Sequence, residues 1–192
     1  MPIHFFLKRI YKIIELSVAT LDQALRAEKD KIVSLWVDRT LDSYISSGFF
    51  KTSRDRFANP VGANIREGLG KLYELLLRKA PPEEMLAPLD QVIRIRAVQE
   101  FSPSQAVAPI LELKWVVRQV LKKERQAGGL EAELDSFDCD IERLALLSFD
   151  MYTECREQLY RNRIQELKSG RYILTDSGCV SSLVKPRQAP QA

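Results

Sequence analysis

The sequence predicts an all-α fold, an irregular helical bundle, and three observations carry that expectation. Eight glycines and nine prolines in 192 residues fall below the usual share of about 12%, which suits long helices better than turn-rich sheets. Apolar residues recur at three- and four-residue spacing along most of the chain, the period of a helix with one buried face. No alternation of strand and helix patterns marks a nucleotide-binding α/β fold. The length supplies one main domain. With 45% hydrophobic and 29% charged residues, the chain as a whole matches neither a disordered nor a membrane-spanning composition.

The first element is an amphipathic arm, residues 1–26. Its apolar stripe runs through Ile3, Phe6, Leu7, Ile10, Ile13, Ile14, Val18, Leu21 and Leu25, with Lys8, Lys12, Glu15 and Asp22 off it. A second helix is expected from Glu28 to Ile45. Ile32 and Trp36 form one row there, and Val33, Val37, Leu41 and Ile45 another, with Gly48 as the stop. A long connection follows. Asn59 as N-cap and Pro60 at the first helical position then start a helix over about 60–79. Its face is Ile65, Leu69, Leu72, Tyr73, Leu76 and Leu77. Gly62, Gly68 and Gly70 each cost that helix roughly 1 kcal/mol relative to alanine, so close packing against them is expected.

Pro81 and Pro82 punctuate the chain before a helix over about 83–100. In FSPSQAV, Ser102 as N-cap, Pro103 at the first position and Gln105 at the third make a capping box, with Phe101 placed to staple onto Ala106 or Val107. The helix so opened runs towards Arg125, and Pro109 inside it is expected to bend it. After Gly128 and Gly129 comes the last helical region, 130–168, with Phe137, Ile141, Leu144, Leu147, Met151, Cys155, Leu159 and Ile164 on one face. Unbroken from Asp138 it would be about 46 Å long at roughly 1.5 Å per residue, so its end is expected to project. The Ser-, Gly- and Pro-containing tail, 169–192, reads as flexible.

Charge and chemistry narrow the function. The chain carries a formal +3, but residues 1–14 hold +3 and residues 169–192 hold +2, which leaves the body slightly acidic. A duplex-binding domain needs a basic face, so nucleic acid is not an expected partner. The only histidine is His4, in the arm. That removes triads and dyads and disfavours globin-type haem, whose iron needs a histidine from within the bundle. Cys139, Cys155 and Met151 read as core fillers rather than ligands. The three cysteines lack CxxC spacing and suit a reducing cytoplasm. GLGKLYE has neither phosphate-loop spacing. No cofactor, metal or catalytic residue is expected. The apolar runs are far shorter than the roughly 18 residues of a membrane span, and cations within the initial apolar run argue against a secretory signal.

Two features remain. Arg94 and Arg96 interrupt the run VIRIRAV, and alternate helical residues point about 200° apart, so both cannot face one surface. One of them is expected to pair inside the bundle with Asp150, which lies in an apolar stretch between Arg143 and Arg156, since buried charges need partners. Such a pair fixes helix register or gates a signal. The arm presents Phe5, Phe6 and Ile10 beside Lys8, Arg9 and Lys12. It packs on the body or on a second chain, or lies on an anionic membrane; packing is favoured because the stripe continues past Glu15 and Asp22.

The segments NPVGANI, VIRIRAVQEFSPSQAV and IERLALLSFDMYTECREQLY resemble the N-terminal domain of RsbRD-type RsbT co-antagonists, bacterial stress-signalling proteins. The resemblance covers about residues 27–168. It implies an all-helical sensory or interaction module, with better-known relatives that are globin-like without haem, and usually a following STAS domain that contacts partner kinases. This sequence ends soon after the helical region and adds the arm, so a signal-receiving or docking part is expected rather than a complete regulator. Matched to the family's motifs, Arg94, Arg96, Gln99, Ser102, Pro103, Ser104, Gln105, Asp150 and Arg156 become the candidate signalling residues. The expected protein is non-enzymatic and cytoplasmic, at the inner membrane face if the arm binds lipid, and a homo-oligomer or a subunit of a larger complex. The rival expectation is an accessory subunit or cofactor-binding redox protein of a membrane-associated complex.

Overall fold

Thr20 has an extended backbone, φ −63° and ψ 153°, and its hydroxyl accepts from Gln23 N while the Gln23 side chain accepts from Thr20 N. This capping box opens helix α1, Leu21–Ala27, and breaks the stripe that the sequence carries through residues 3–25. The structure, a computed structural model, describes residues 20–53, 55–99, 101–122 and 131–169. The arm residues Phe5, Phe6, Lys8, Arg9, Ile10 and Lys12, and the tail from 170 onward, lie outside the described residues. Among those described there are seven helices and no strand, the all-α bundle expected, and no helix is long and apolar enough to cross a membrane.

Helix α2, Lys29–Asp42, ends three residues before the apolar pattern does. Ser43 Oγ donates to the Thr40 carbonyl at 2.6 Å, competing with the ladder as short hydroxyl side chains do at helix ends. Ile45 is consequently fully exposed rather than part of the inner face. Gly48 does not stop α2; it sits in a six-residue helix α3, Ser47–Thr52, inside the stretch read as a connection. Asn59 then opens α4, Pro60–Leu77. Its Oδ1 accepts from Gly62 N at 2.8 Å, and its Nδ2 donates to the carbonyls of Phe50 and Ser53 at 2.9 and 2.8 Å. One buried amide therefore joins α3 to α4.

At the far end of α4, Lys79 is left-handed, φ 50°. The amides of Lys79 and Ala80 return to the carbonyls of Leu76 and Leu75, both at 3.0 Å. That is a Schellman ending with lysine where glycine is usual, followed by proline. Helix α5, Pro82–Val98, and α6, Pro103–Val120, each begin with proline and each contain one inside, Pro88 and Pro109. Helix α7 is Glu131–Ser169.

All six apolar residues predicted for α4 are buried. Each large side chain of this face so taken out of water contributes about 1.5–3 kcal/mol. Helix α5 packs along it. A Cβ on Gly68 would lie 2.6 Å from Val92 Cγ2 and 3.0 Å from the Pro88 carbonyl, so the close approach inferred from that glycine is real. The same holds at Gly62, 2.7 Å from the Phe50 carbonyl, but not at Gly70, which faces open space. Across the core, α2 meets α6 through Trp36, whose indole N–H donates to the Pro109 carbonyl at 2.6 Å, and α1 meets α4 through the Tyr73 hydroxyl on the Leu25 carbonyl at 3.0 Å.

The chain forms two compact units, Met1–Cys155 and Arg156–Ala192. In the first, α7 buries Leu134, Phe137, Ile141, Leu144, Ala145, Ser148 and Tyr152. Met151 and Cys155 are half-buried against the core, whereas Cys139 is exposed and fills nothing. In the second, the described residues 156–169 continue the helix with Leu159, Tyr160, Ile164 and Leu167 exposed, so the predicted inner face does not extend to Leu159 and Ile164.

Candidate functional site

The two arginines of VIRIRAV separate as their 200° spacing requires. Arg94 is exposed and donates to Asp90 on its own helix, at 3.0 Å from Nε and 2.7 Å from Nη2. Arg96 is fully buried. Its partner is not Asp150, which is exposed on α7 because Ser148 and Tyr152 take the inward positions on either side of it. The expected ion pair is therefore absent from both arginines.

Arg96 is held instead by dipoles and aromatic faces. Nη1 donates to Ser43 Oγ at 3.0 Å and Nη2 to the Gln105 carbonyl at 2.8 Å. The guanidinium carbon lies 4.1 Å from the Phe101 ring centroid and 5.1 Å from that of Tyr44, within reach of attraction to the π-faces. It also sits in the last turn of α5, where the helix dipole favours a cation. The Gln105 carbonyl needs this donor for a definite reason. Its helical partner would be the amide of residue 109, and Pro109 has none. Arg96 takes the place of the missing N–H.

Burial pushes Arg96 below, and Tyr44 above, their ordinary pKa values, while the proximity of each group to the other opposes the shift. Arg96 Nε and the Tyr44 hydroxyl, both buried, have no hydrogen bond. Phe101 completes the junction. Its amide donates to the Arg96 carbonyl at 3.4 Å, its carbonyl accepts from the Tyr152 hydroxyl of α7, and its ring meets Tyr44 edge-on at 5.1 Å. One cation thereby ties together the end of α2, α5, the turn before α6, and α6 itself, with α7 attached through Phe101. A guanidinium stays protonated and is neither nucleophile nor proton shuttle, so the junction positions helices rather than performing chemistry.

Of the predicted set, Arg96, Ser102 and Gln105 come together here. Ser102 Oγ accepts from Gln105 N at 3.3 Å, and Gln105 Oε1 accepts from Ser102 N at 3.0 Å. Pro103 and Ser104 are exposed on the first turn of α6, the Ser104 hydroxyl 3.1 Å from that of Ser102. Gln99 caps α5 through its backbone. Arg156 belongs to the second unit, where it donates to the Tyr160 hydroxyl at 2.8 Å. Sequence reasoning missed Ser43, Tyr44 and Tyr152. It read Pro109 only as a bend, although an interior proline always frees the carbonyl four residues earlier.

A second feature lies on the outside. Helices α6 and α7 are clamped by Arg118, which donates to both oxygens of Asp138 at 2.9 and 2.5 Å, and by Lys114 on Glu142 at 2.7 Å. Between them runs an open apolar groove of ≈ 900 Å³ over Val107, Ala108, Leu111, Ala145, Leu146 and Phe149. Leu111 is 43%, Leu146 69% and Phe149 48% exposed. Trp115, under the Arg39 guanidinium at 4.2 Å, extends the apolar residues of α6 by one more turn. The consecutive apolar residues of LALLSF carried this signal, since one helix face cannot hold them all.

A family model described as the RsbT co-antagonist protein RsbRD N-terminal domain matches residues 30–167, most of the chain and both features just described. No curated protein and no solved structure matches.

Proposed function

The chain belongs to the RsbT co-antagonist protein RsbRD N-terminal domain family, and from that premise we propose that it is a non-enzymatic sensory and protein-interaction module of bacterial stress regulation. It works through helix-face contacts. The observation that carries this reading is the exposed apolar face of α6 and α7. Its leucines and phenylalanine are held on two helices clamped to each other, as a preformed contact surface requires. The same α6 begins at the Arg96 junction. A partner or signal that binds one packing of α5, α6 and α7 better than another shifts the module by that difference in affinity. Buried Arg96 holds the junction; Pro103 and Ser104 line the groove, and Arg94, Gln99 and Asp150 are exposed elsewhere on α5 and α7 and after α5.

A second copy of the chain is the simplest partner for an apolar pair of antiparallel helices, since two such pairs make a four-helix interface. Sedimentation of the full chain tests this. The native protein should be a homo-oligomer. Leu146→Asp with Phe149→Asp should weaken association by roughly 100-fold or more, given about 1.5–3 kcal/mol for each buried apolar side chain, with helix content unchanged. A native monomer, or an oligomer indifferent to both substitutions, defeats the reading.

A further inference from the structure

On another stripe of α7, two adjoining cavities of ≈ 500 and ≈ 360 Å³ share Leu76, Lys79, Ser136 and Asp140 and so form one trough. Its floor is apolar, with Leu25, Leu76, Phe137 and Leu144 almost wholly buried beneath it. It runs along α7 from Glu133 to Leu147 and is walled at one end by the start of α1. There the Leu21 amide donates to Glu133 Oε2 at 2.9 Å. The described residues therefore begin at the mouth of the trough.

We propose that this segment, residues 1–19 of the same chain, occupies the trough as an amphipathic helix. Three properties point to it. Its stripe of Ile3, Phe6, Leu7, Ile10, Ile13 and Ile14 matches an apolar floor. Lys8, Arg9 and Lys12 lie on the other side of that stripe, so with the stripe on the floor these cations stay in water, where charge is cheapest. The reach also fits. At roughly 1.5 Å per residue, residues 3–18 make a helix of about 24 Å, against about 21 Å of α7 between Glu133 and Leu147. The extended Thr20, with the capping box that starts α1 behind it, supplies the short reversal two antiparallel helices need.

Cross-linking and exchange test the proposal. In a chain with Cys139→Ser, Cys155→Ser and Cys179→Ser, Ile10→Cys is paired either with Ser136→Cys in the trough or with Ser104→Cys on the α6–α7 groove, and a short bismaleimide is added to a mixture of isotopically heavy and light protein. Tethering should make the Ile10–Ser136 link form within one chain, roughly tenfold faster than the Ile10–Ser104 link, and Phe6→Asp with Ile14→Asp should abolish that preference. In the unaltered protein, amides of residues 3–18 should exchange at least roughly tenfold more slowly than in a free peptide. Links mainly between heavy and light chains would assign the arm to a second copy. Equal yields at the two positions, or unprotected amides, would leave the trough without its occupant. Flotation of the native chain on anionic vesicles through residues 1–19 would give the arm to a lipid surface. Each of these results overturns the proposal.

Discussion

Pro109 removes one backbone donor from α6, and the side chain of Arg96, thirteen positions earlier, supplies the replacement at 2.8 Å from the Gln105 carbonyl. The two residues are therefore one energetic unit, although neither touches the other's helix partner in sequence. Arg96→Met keeps most of the volume but leaves that carbonyl unpaired, at a cost of about 1–3 kcal/mol. Pro109→Ala restores the amide. In the Pro109→Ala background the same arginine substitution should cost about 1 kcal/mol less, a coupling that urea unfolding of the four chains measures directly. Identical costs in both backgrounds would mean that Arg96 serves the junction through Ser43 and the rings of Phe101 and Tyr44 alone. The sequence made it legible that one of Arg94 and Arg96 would be buried, because residues two apart on a helix point about 200° apart and cannot both face one surface. Its partner was not legible, because a carbonyl freed by a proline in another helix carries no charge to mark it in the sequence.

Helices were readable where periodicity and caps agreed. In α4 the proline-capped start and six inward apolar residues say the same thing, and in α6 the serine–glutamine capping box marks the first turn. They were misread where an apolar residue falls in register without a helix beneath it. Ile45 continues the stripe of α2, but the chain has already turned at Ser43 to send Tyr44 into the core. Thr20 breaks a stripe that runs through it, and only the Thr20–Gln23 spacing could have shown the break. Glycines are the sharpest case, since a sequence shows the cost but not the neighbour. Gly68→Ala should destabilise the protein by about 1–3 kcal/mol, the range for overpacking, because both Val92 and the rigid Pro88 carbonyl stand in the way. Val92→Ala should recover part of it. Gly70→Ala meets open space and should stabilise α4 by up to about 1 kcal/mol. Thermal melts of the two alanine variants must move in opposite directions; movement in the same direction would mean that α4 and α5 are not in the close contact described.

Over the whole molecule, opposite charges sit on the surface and unpaired polar groups sit inside, which gives the two ends of the pH range different characters. The carboxyls of Glu67, beside Lys71 and Arg56, and of Glu74, beside Lys29, are held below the ordinary 4.5. Asp22, beside Arg26, is held below 3.8. Depressed values in the folded state mean stabilisation that is present above the ordinary values and lost as pH falls through the folded ones. Asp22 and Glu74 are exposed and Glu67 is half-buried, so that acid edge should be shallow and should flatten further in concentrated salt. At the alkaline end the sign reverses. Burial raises Tyr44 and Tyr73 above the ordinary 10.0, so their contribution is complete below that value and is lost as pH rises through the folded one. Desolvation rather than pairing is the cause, and salt does not screen it. Tyr44 isolates the effect because its buried hydroxyl has no hydrogen bond. Tyr44→Phe should cost little at neutral pH and should shallow the alkaline fall, in low and high salt alike. Unfolding free energies measured across pH at two salt concentrations check all of this at once, and an alkaline limb unchanged by the substitution would place the Tyr44 hydroxyl in water rather than beside Arg96.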